Sequence, residues 1–174
     1  MNGTGSPPHR RRRSFVVLVA ACALLSSVAT ESARASGVWS WPVVGPVLRA
    51  FDPPRTAFGS GHRGIDIACP VGAPIRAVAP GVVTFAGSVG GQRYVTVRHA
   101  DGTQSTASWV AAIDVRRDDV VVAGQRIASC GSGHSGATIP HVHFGVRTPD
   151  GTYVDPLGVL LPPKLSSFLR LAPR

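Results

Sequence analysis

Residues 74–98 read PIRAVAPGVVTFAGSVGGQRYVTVR. Apolar runs of four to six residues are separated by Pro80-Gly81 and Gly90-Gly91, and β-branched residues dominate them. Short runs of this type, punctuated by turn residues, indicate strands rather than helices. The segment predicts strands at 74–79, 82–86 and 93–98. Outward from it the same signature continues, with strands predicted near 47–51 and at 103–109, 119–122, 126–129 and 141–147. Asp101-Gly102 supplies a hairpin turn between two of them, because both residues tolerate positive φ. No long helical period occurs in this region; only 164–171, with Leu165, Phe168 and Leu169 on one face, predicts a short helix. The fold class read from these elements is all-β, a compact sandwich of short antiparallel strands of the barrel-sandwich or duplicated hybrid type. Val71-Gly72-Ala73-Pro74-Ile75 and Val122-Ala123-Gly124-Gln125-Arg126-Ile127 echo one another, each placing a glycine turn before an apolar strand. Biotin and lipoyl carriers show such paired halves, but they need a lysine at a hairpin tip. The only lysine here is Lys164, after two prolines, so that function is excluded.

The 174 residues suit one domain, and a formal charge of +9 would invite a nucleic-acid reading. The distribution opposes it. Arg10 to Arg13 are consecutive and precede the apolar run FVVLVAACALLSSVA at 15–29. A basic region, a short apolar core and Ala33-Arg34-Ala35 predict a secretory signal peptide over 1–35. The run is too short for a comfortable membrane span, which takes about 20 residues. Arg12-Arg13-Ser14-Phe15-Val16 resembles a twin-arginine export signal, and Val19-Ala20-Ala21-Cys22 resembles a lipobox. Cleavage after Ala35 leaves 13 basic and 8 acidic residues, a net charge of +5. The remaining chain divides into an N-terminal arm (36–55), a β domain (56–161) and a tail or short helix (162–174). It carries two cysteines, Cys69 and Cys130, which an oxidising compartment allows as either a disulfide or two buried thiols.

The single glutamate, Glu31, lies in the leader. A helical His-Glu-x-x-His zinc peptidase is therefore excluded, as are mechanisms built on paired glutamates. Serine-hydrolase chemistry lacks its Gly-x-Ser-x-Gly elbow. What remains is a set of histidines and one aspartate. Gly61-His62-Arg63-Gly64-Ile65-Asp66-Ile67 places a histidine four residues before an aspartate, where glycines and β-branched residues favour a loop running into a strand. Pro140-His141-Val142-His143-Phe144 places two histidines at i and i+2, which a strand projects to one face. Two imidazoles and a carboxylate suffice for a catalytic zinc with one open position, and such an ion lowers the pKa of a bound water toward ~7.

Those two segments, with Gly81-Val82-Val83, Ala86-Gly87 and Tyr153-Val154-Asp155-Pro156, resemble the lysostaphin/LytM-type zinc endopeptidases over roughly residues 43–161. The resemblance implies that His62, Asp66 and His143 bind one Zn2+ per chain. It implies that His141 stands beside the attacking water and assists it. It further implies a β-sheet sandwich with a peptide groove, and as substrate the peptide stems and bridges of bacterial peptidoglycan. The expected protein is exported, extracellular or associated with the cell wall, with no nucleic-acid partner and no membrane span after processing. One departure stands out. The family carries a second catalytic histidine in a Thr-Tyr-x-His-Leu strand, and the matching stretch is Thr106-Ala107-Ser108-Trp109-Val110. An indole N–H donates one hydrogen bond and cannot shuttle protons. Two expectations follow: a zinc endopeptidase that cuts peptidoglycan cross-links, or a weak or inactive relative that binds wall peptide or regulates another wall hydrolase. His134, in the glycine-rich loop 131–140, is either a substitute for the missing histidine or a solvent-exposed loop residue. Trp109 lines the groove or packs in the core. His99 reads as structural.

Overall fold

The computed structural model describes Met1, residues 39–56 and residues 59–160. The chain divides into two compact units, Met1–Ala33 and Arg34–Arg174. The predicted leader, its twin-arginine and lipobox motifs and the predicted helix 164–171 lie outside the described residues.

Among the described residues of the second unit, eleven strands and one helical turn follow in order: β1 Val47–Arg49, β2 Ile65–Ala68, β3 Pro74–Arg76, β4 Gly81–Val89, β5 Gln92–Arg98, β6 Gln104–Ser108, β7 Val110–Ile113, β8 Val120–Val121, β9 Arg126–Cys130, β10 His141–Arg147, β11 Tyr153–Val154 and α1 Leu157–Leu160. All strand pairs are antiparallel. The large sheet runs β1-β2-β10-β6-β5-β4-β8, with β11 also paired to β10; the small sheet runs β3-β9-β7. The all-β reading of the sequence holds. The two glycine-turn echoes become β3 and β9, which are neighbours in the small sheet. No helix among the described residues is long and apolar enough to cross a membrane.

Alternation positions the site. Val95 and Val97 on β5, and Val142, Phe144 and Val146 on β10, point into one apolar cluster with Ile65, Ile67, Ile75, Ile127 and Ala128. Each fully buried valine or isoleucine stabilises the fold by about 1.5–3 kcal/mol. Strand side chains alternate in direction, so the residues between them face the other way. Thr96, Thr106, Ser108, His143 and Gly145 accordingly line an open groove of about 670 Å³ on the large sheet.

Besides shifted ends at 47–51, 82–86 and 119–122 and the added short strands β2 and β11, the strands differ from the sequence expectation in three further places. The strand predicted over 74–79 ends at Arg76, because Ala77 turns its N–H to the Gln125 carbonyl, off the ladder with β9. The strand predicted over 103–109 stops at Ser108. Trp109 then adopts φ +66°, in the left-handed region, and the chain leaves the large sheet to pair as β7 with β9 in the small one. That corner approaches Gly131 so closely that a Cβ there would lie 2.2 Å from the Trp109 carbonyl oxygen; only glycine permits it. Third, β7 itself carries no clear strand signal in the sequence.

Cys69 at the end of β2 and Cys130 at the end of β9 are joined by a disulfide, with Cα atoms 6.2 Å apart. It ties the large sheet to the small one. His99 is buried, donates from Nδ1 to the Pro80 carbonyl (2.9 Å) and pairs through Nε2 with Ser105 Oγ (2.9 Å). The ring of Trp39, from the N-terminal arm, packs on it at 4.3 Å between centroids. Burial pushes the His99 pKa below its ordinary value, outweighing the Pro80 hydrogen bond and the Asp101 charge, which both raise it.

Candidate metal centre

Register brings the sequence-predicted residues together. On β10, His143 lies directly opposite Asp66 on β2 and Ser108 on β6. Asp66 sits between the buried Ile65 and Ile67, so its carboxylate leaves the core on the side where His141 and His143 emerge. His62 arrives from the loop. Its backbone makes two hydrogen bonds with Asp52, N–H to the Asp52 carbonyl at 2.7 Å and carbonyl to the Asp52 N–H at 2.9 Å. Its Nδ1 lies 2.7 Å from the carbonyl oxygen of Ala50. The N-terminal arm thus aims this side chain.

Three donor atoms converge. His62 Nε2 lies 3.1 Å from Asp66 Oδ1, His143 Nδ1 lies 2.9 Å from the same oxygen, and the two nitrogens are 3.0 Å apart. The Ala50 carbonyl only accepts, so in the neutral ring of His62 the proton is on Nδ1 and Nε2 presents a lone pair. That lone pair then faces a carboxylate oxygen and the third donor atom, with at most the His143 proton to share. Three such atoms, two of them buried, fit a cation. Tetrahedral zinc with bonds of about 2.0–2.2 Å separates its ligand atoms by roughly 3.3–3.6 Å, slightly more than the spacing here. Burial alone would raise the Asp66 pKa; the hydrogen bond with His143 and the charges of His62, His143 and His141 outweigh it and hold the carboxyl below its ordinary range. The group is an anion at neutral pH, as a metal ligand must be.

His141 stands on the same face of β10, is 3 % exposed, and donates from Nδ1 to the Ile139 carbonyl at 2.9 Å. Its Nε2 therefore carries the lone pair, and that atom is buried with no hydrogen-bond partner among the described residues. Trp109 is partly exposed and lines the groove together with Tyr94, Ser108, Arg63, Arg147 and His143, so of the two expectations for it the groove reading is the one realised. Sequence reading left His134 open. The structure sets it beside the others, with its ring 4.7 Å from that of His141 and 6.2 Å from that of Trp109, centroid to centroid. The sequence signal was its place in the glycine-rich loop directly before Pro140-His141. Arg147 is not singled out by the sequence, and Tyr153 figures there only within the Tyr153-Val154-Asp155-Pro156 stretch, with no role; the guanidinium lies 4.6 Å over the Tyr153 ring at the rim of the groove.

Known proteins similar to this chain fall in one peptidase family. The sequence profile of peptidase family M23 matches residues 60–156. The DD-carboxypeptidase/endopeptidase Mpg of Neisseria meningitidis serogroup B is 41% identical over 103 residues, covering 58% of this chain and 23% of that protein. The murein hydrolase activator NlpD of Salmonella typhimurium is 34% identical over 133 residues, covering 75% of this chain and 33% of that protein. The chain spans about half the length, or less, of the curated relatives it matches. The catalytic domain of the antimicrobial peptidase lysostaphin from Staphylococcus simulans superposes with a TM-score of 0.57 at 25% identity, over 64% of this chain and 89% of that one.

Proposed function

The chain belongs to peptidase family M23, and from that premise we propose that it is an exported zinc endopeptidase that hydrolyses the peptide cross-links of bacterial peptidoglycan. One observation carries the reading: His62 Nε2, Asp66 Oδ1 and His143 Nδ1 meet within 3.1 Å of one another at the groove, beside a buried histidine whose Nε2 has no partner among the described residues. These three residues would hold one zinc per chain, which would supply an acidified water and polarisation of the amide carbonyl.

The rest is work for the protein's own groups. His141 Nε2 takes the proton that the attacking water gives up, and passes it to the amine nitrogen as the C–N bond breaks. The hydrogen bond from Nδ1 to Ile139 keeps the ring in the tautomer that leaves Nε2 basic. Asp66 stays ionised and compensates part of the metal charge. The groove holds an extended peptide across β5, β6 and β10, with Arg63 and Arg147 at its rim suited to the carboxylates of stem peptides. Trp109 supplies at most one hydrogen bond, from its indole N–H to the substrate.

The disulfide supports an oxidising location. The charge of +5 after removal of residues 1–35 supports attraction to an anionic wall. A second reading is favoured by Trp109: with the second histidine missing, the domain binds zinc and wall peptide and activates another hydrolase, as the name of NlpD describes for that protein. Digestion of purified sacculi, scored by new amine ends, alongside a zinc measurement on the protein, separates the two. Zinc with new ends supports the endopeptidase, zinc without them supports the activator, and absence of zinc overturns both.

A further inference from the structure

The carboxylate of Asp66 has two sides. Oδ1 faces His62 and His143, while Oδ2 lies 3.8 Å from Nε2 of His134. Asp66, His134 and His141 form a second group, whose ligand atoms all lie within 4.8 Å of one another. The tautomers agree with this grouping. His134 Nδ1 faces the Ser135 carbonyl at 3.2 Å and His141 Nδ1 faces that of Ile139 at 2.9 Å. Carbonyls only accept, so in both neutral rings Nε2 presents a lone pair. The His141 lone pair is buried and has no hydrogen-bond partner among the described residues, a condition native interiors rarely tolerate without a reason. Gly133, at φ +88°, lays the loop backbone against that ring: a Cβ there would come within 2.4 Å of it. The loop therefore holds His134 over His141 by close packing.

We propose that Asp66 Oδ2, His134 Nε2 and His141 Nε2 bind a second divalent zinc ion, weaker than the first, and that this ion inhibits hydrolysis. Two imidazole nitrogens and one carboxylate oxygen select zinc over calcium or magnesium, which take oxygen ligands. The three ligand atoms, now within 4.8 Å of one another, have to draw together; His134, whose side chain is 42 % exposed on a loop and lies 3.8 Å from Asp66, is free to supply that movement. Asp66 bridges the two ions. Their mutual repulsion makes the second the weaker, and sharing one carboxylate between them reinforces that order. The inhibitory effect follows from occupancy: a lone pair of His141 engaged by a cation no longer accepts a proton from water. The proposal rests on the reading above in that His62, Asp66 and His143 hold the first ion and His141 is the proton acceptor.

The test is a zinc titration of the tag-free full chain after metal removal, with bound zinc counted by elemental analysis after equilibrium dialysis at rising free zinc. The wild type is expected to bind two ions in successive steps, and His134→Ala one, with its tight step unchanged. Every other histidine is common to both proteins, so the difference reads the contribution of His134. A matched thermal melt of His134→Ala without metal checks its fold, and His134→Asn serves as a second variant that removes the lone pair with less loss of volume. On sacculi, zinc above the second step is expected to lower wild-type release of amine ends at least tenfold and to leave His134→Ala unaffected. One ion in the wild type at every zinc concentration, or two in both proteins with equal affinities, overturns the second site. Two ions with undiminished cutting overturn its inhibitory effect. No ion in the wild type instead overturns the metal-centre reading itself.

Discussion

Trp109 stands edge-on to His134, with ring centroids 6.2 Å apart and planes inclined by 73°. By the resemblance to the lysostaphin-type endopeptidases, which have a second histidine in this strand, the indole is expected to stand in that histidine's place, on a backbone with φ +66°. Bulky residues rarely adopt that conformation, whereas histidine is several-fold enriched in it. Trp109→His is therefore expected to fold at least as well as the parent. If hydrolysis is limited by the missing group, release of amine ends from sacculi should rise by about 10²-fold, the scale of one stabilising donor. An unchanged rate would remove Trp109 as the limiting residue.

His141→Ala separates metal binding from proton transfer. Its ring is absent from the His62, Asp66 and His143 set, so the first zinc should stay bound at one per chain. Turnover should fall by roughly 10²–10⁴, the usual contribution of a general base. His143→Ala and Asp66→Ala should lose both tightly bound zinc and activity. Elemental analysis beside the sacculus assay checks all three, and parental turnover in His141→Ala would refute its role.

Stability should fall on mild acidification because of His99. Its folded-state pKa is depressed, chiefly by burial against Trp39 and Ser105. The unfolded chain takes up a proton as pH drops through about 6.5, while the folded chain resists until lower pH. The contribution of His99 is thus complete above that pH and is lost as pH falls toward the folded value. Metal-free protein should melt lower at pH 5.5 than at pH 7.5. In His99→Gln, less stable throughout, the pH dependence across this window should flatten. An equal slope in both proteins would assign the effect elsewhere.

The disulfide closes a loop with a sequence separation of 61 residues. On the chain-entropy view such a closure stabilises by about 4 kcal/mol. Melting under reducing conditions, or of Cys130→Ser, should show a correspondingly lower Tm than the oxidised wild type. Equal melting temperatures would mean the two sulfurs are not bonded in solution.

Much of the site is legible in the sequence because strand geometry is periodic. His141 and His143 share a face by the two-residue repeat alone, and Asp66 follows from its place between two core isoleucines. The strand hairpins are legible for the same reason, since apolar alternation and glycine turns act locally. What is not legible depends on contacts distant in sequence or on backbone conformation. Trp109 ends a strand because its carbonyl is laid against Gly131, and no residue near Trp109 announces a left-handed φ. The short β7 escapes notice because its middle residues are alanines, which carry little strand preference. The proximity of His134 to Asp66 arises from how a loop folds back over a ring, and loops have no period to read. The partner that orients His62 is a backbone carbonyl, invisible to any motif.

That carbonyl belongs to Ala50, and Asp52, two residues on, carries the two backbone bonds that position His62. Both precede the family-matched segment, which begins at residue 60. The family-matched segment and the metal centre therefore have different boundaries. A chain trimmed to the matched segment would retain all three donor residues. It would lose the strut that fixes which imidazole nitrogen of His62 is free, and rotation of that ring would then compete with coordination. The N-terminal arm is in this sense a ligand-holding element, and variation in its length or proline content is a means of tuning metal affinity without touching a single ligand.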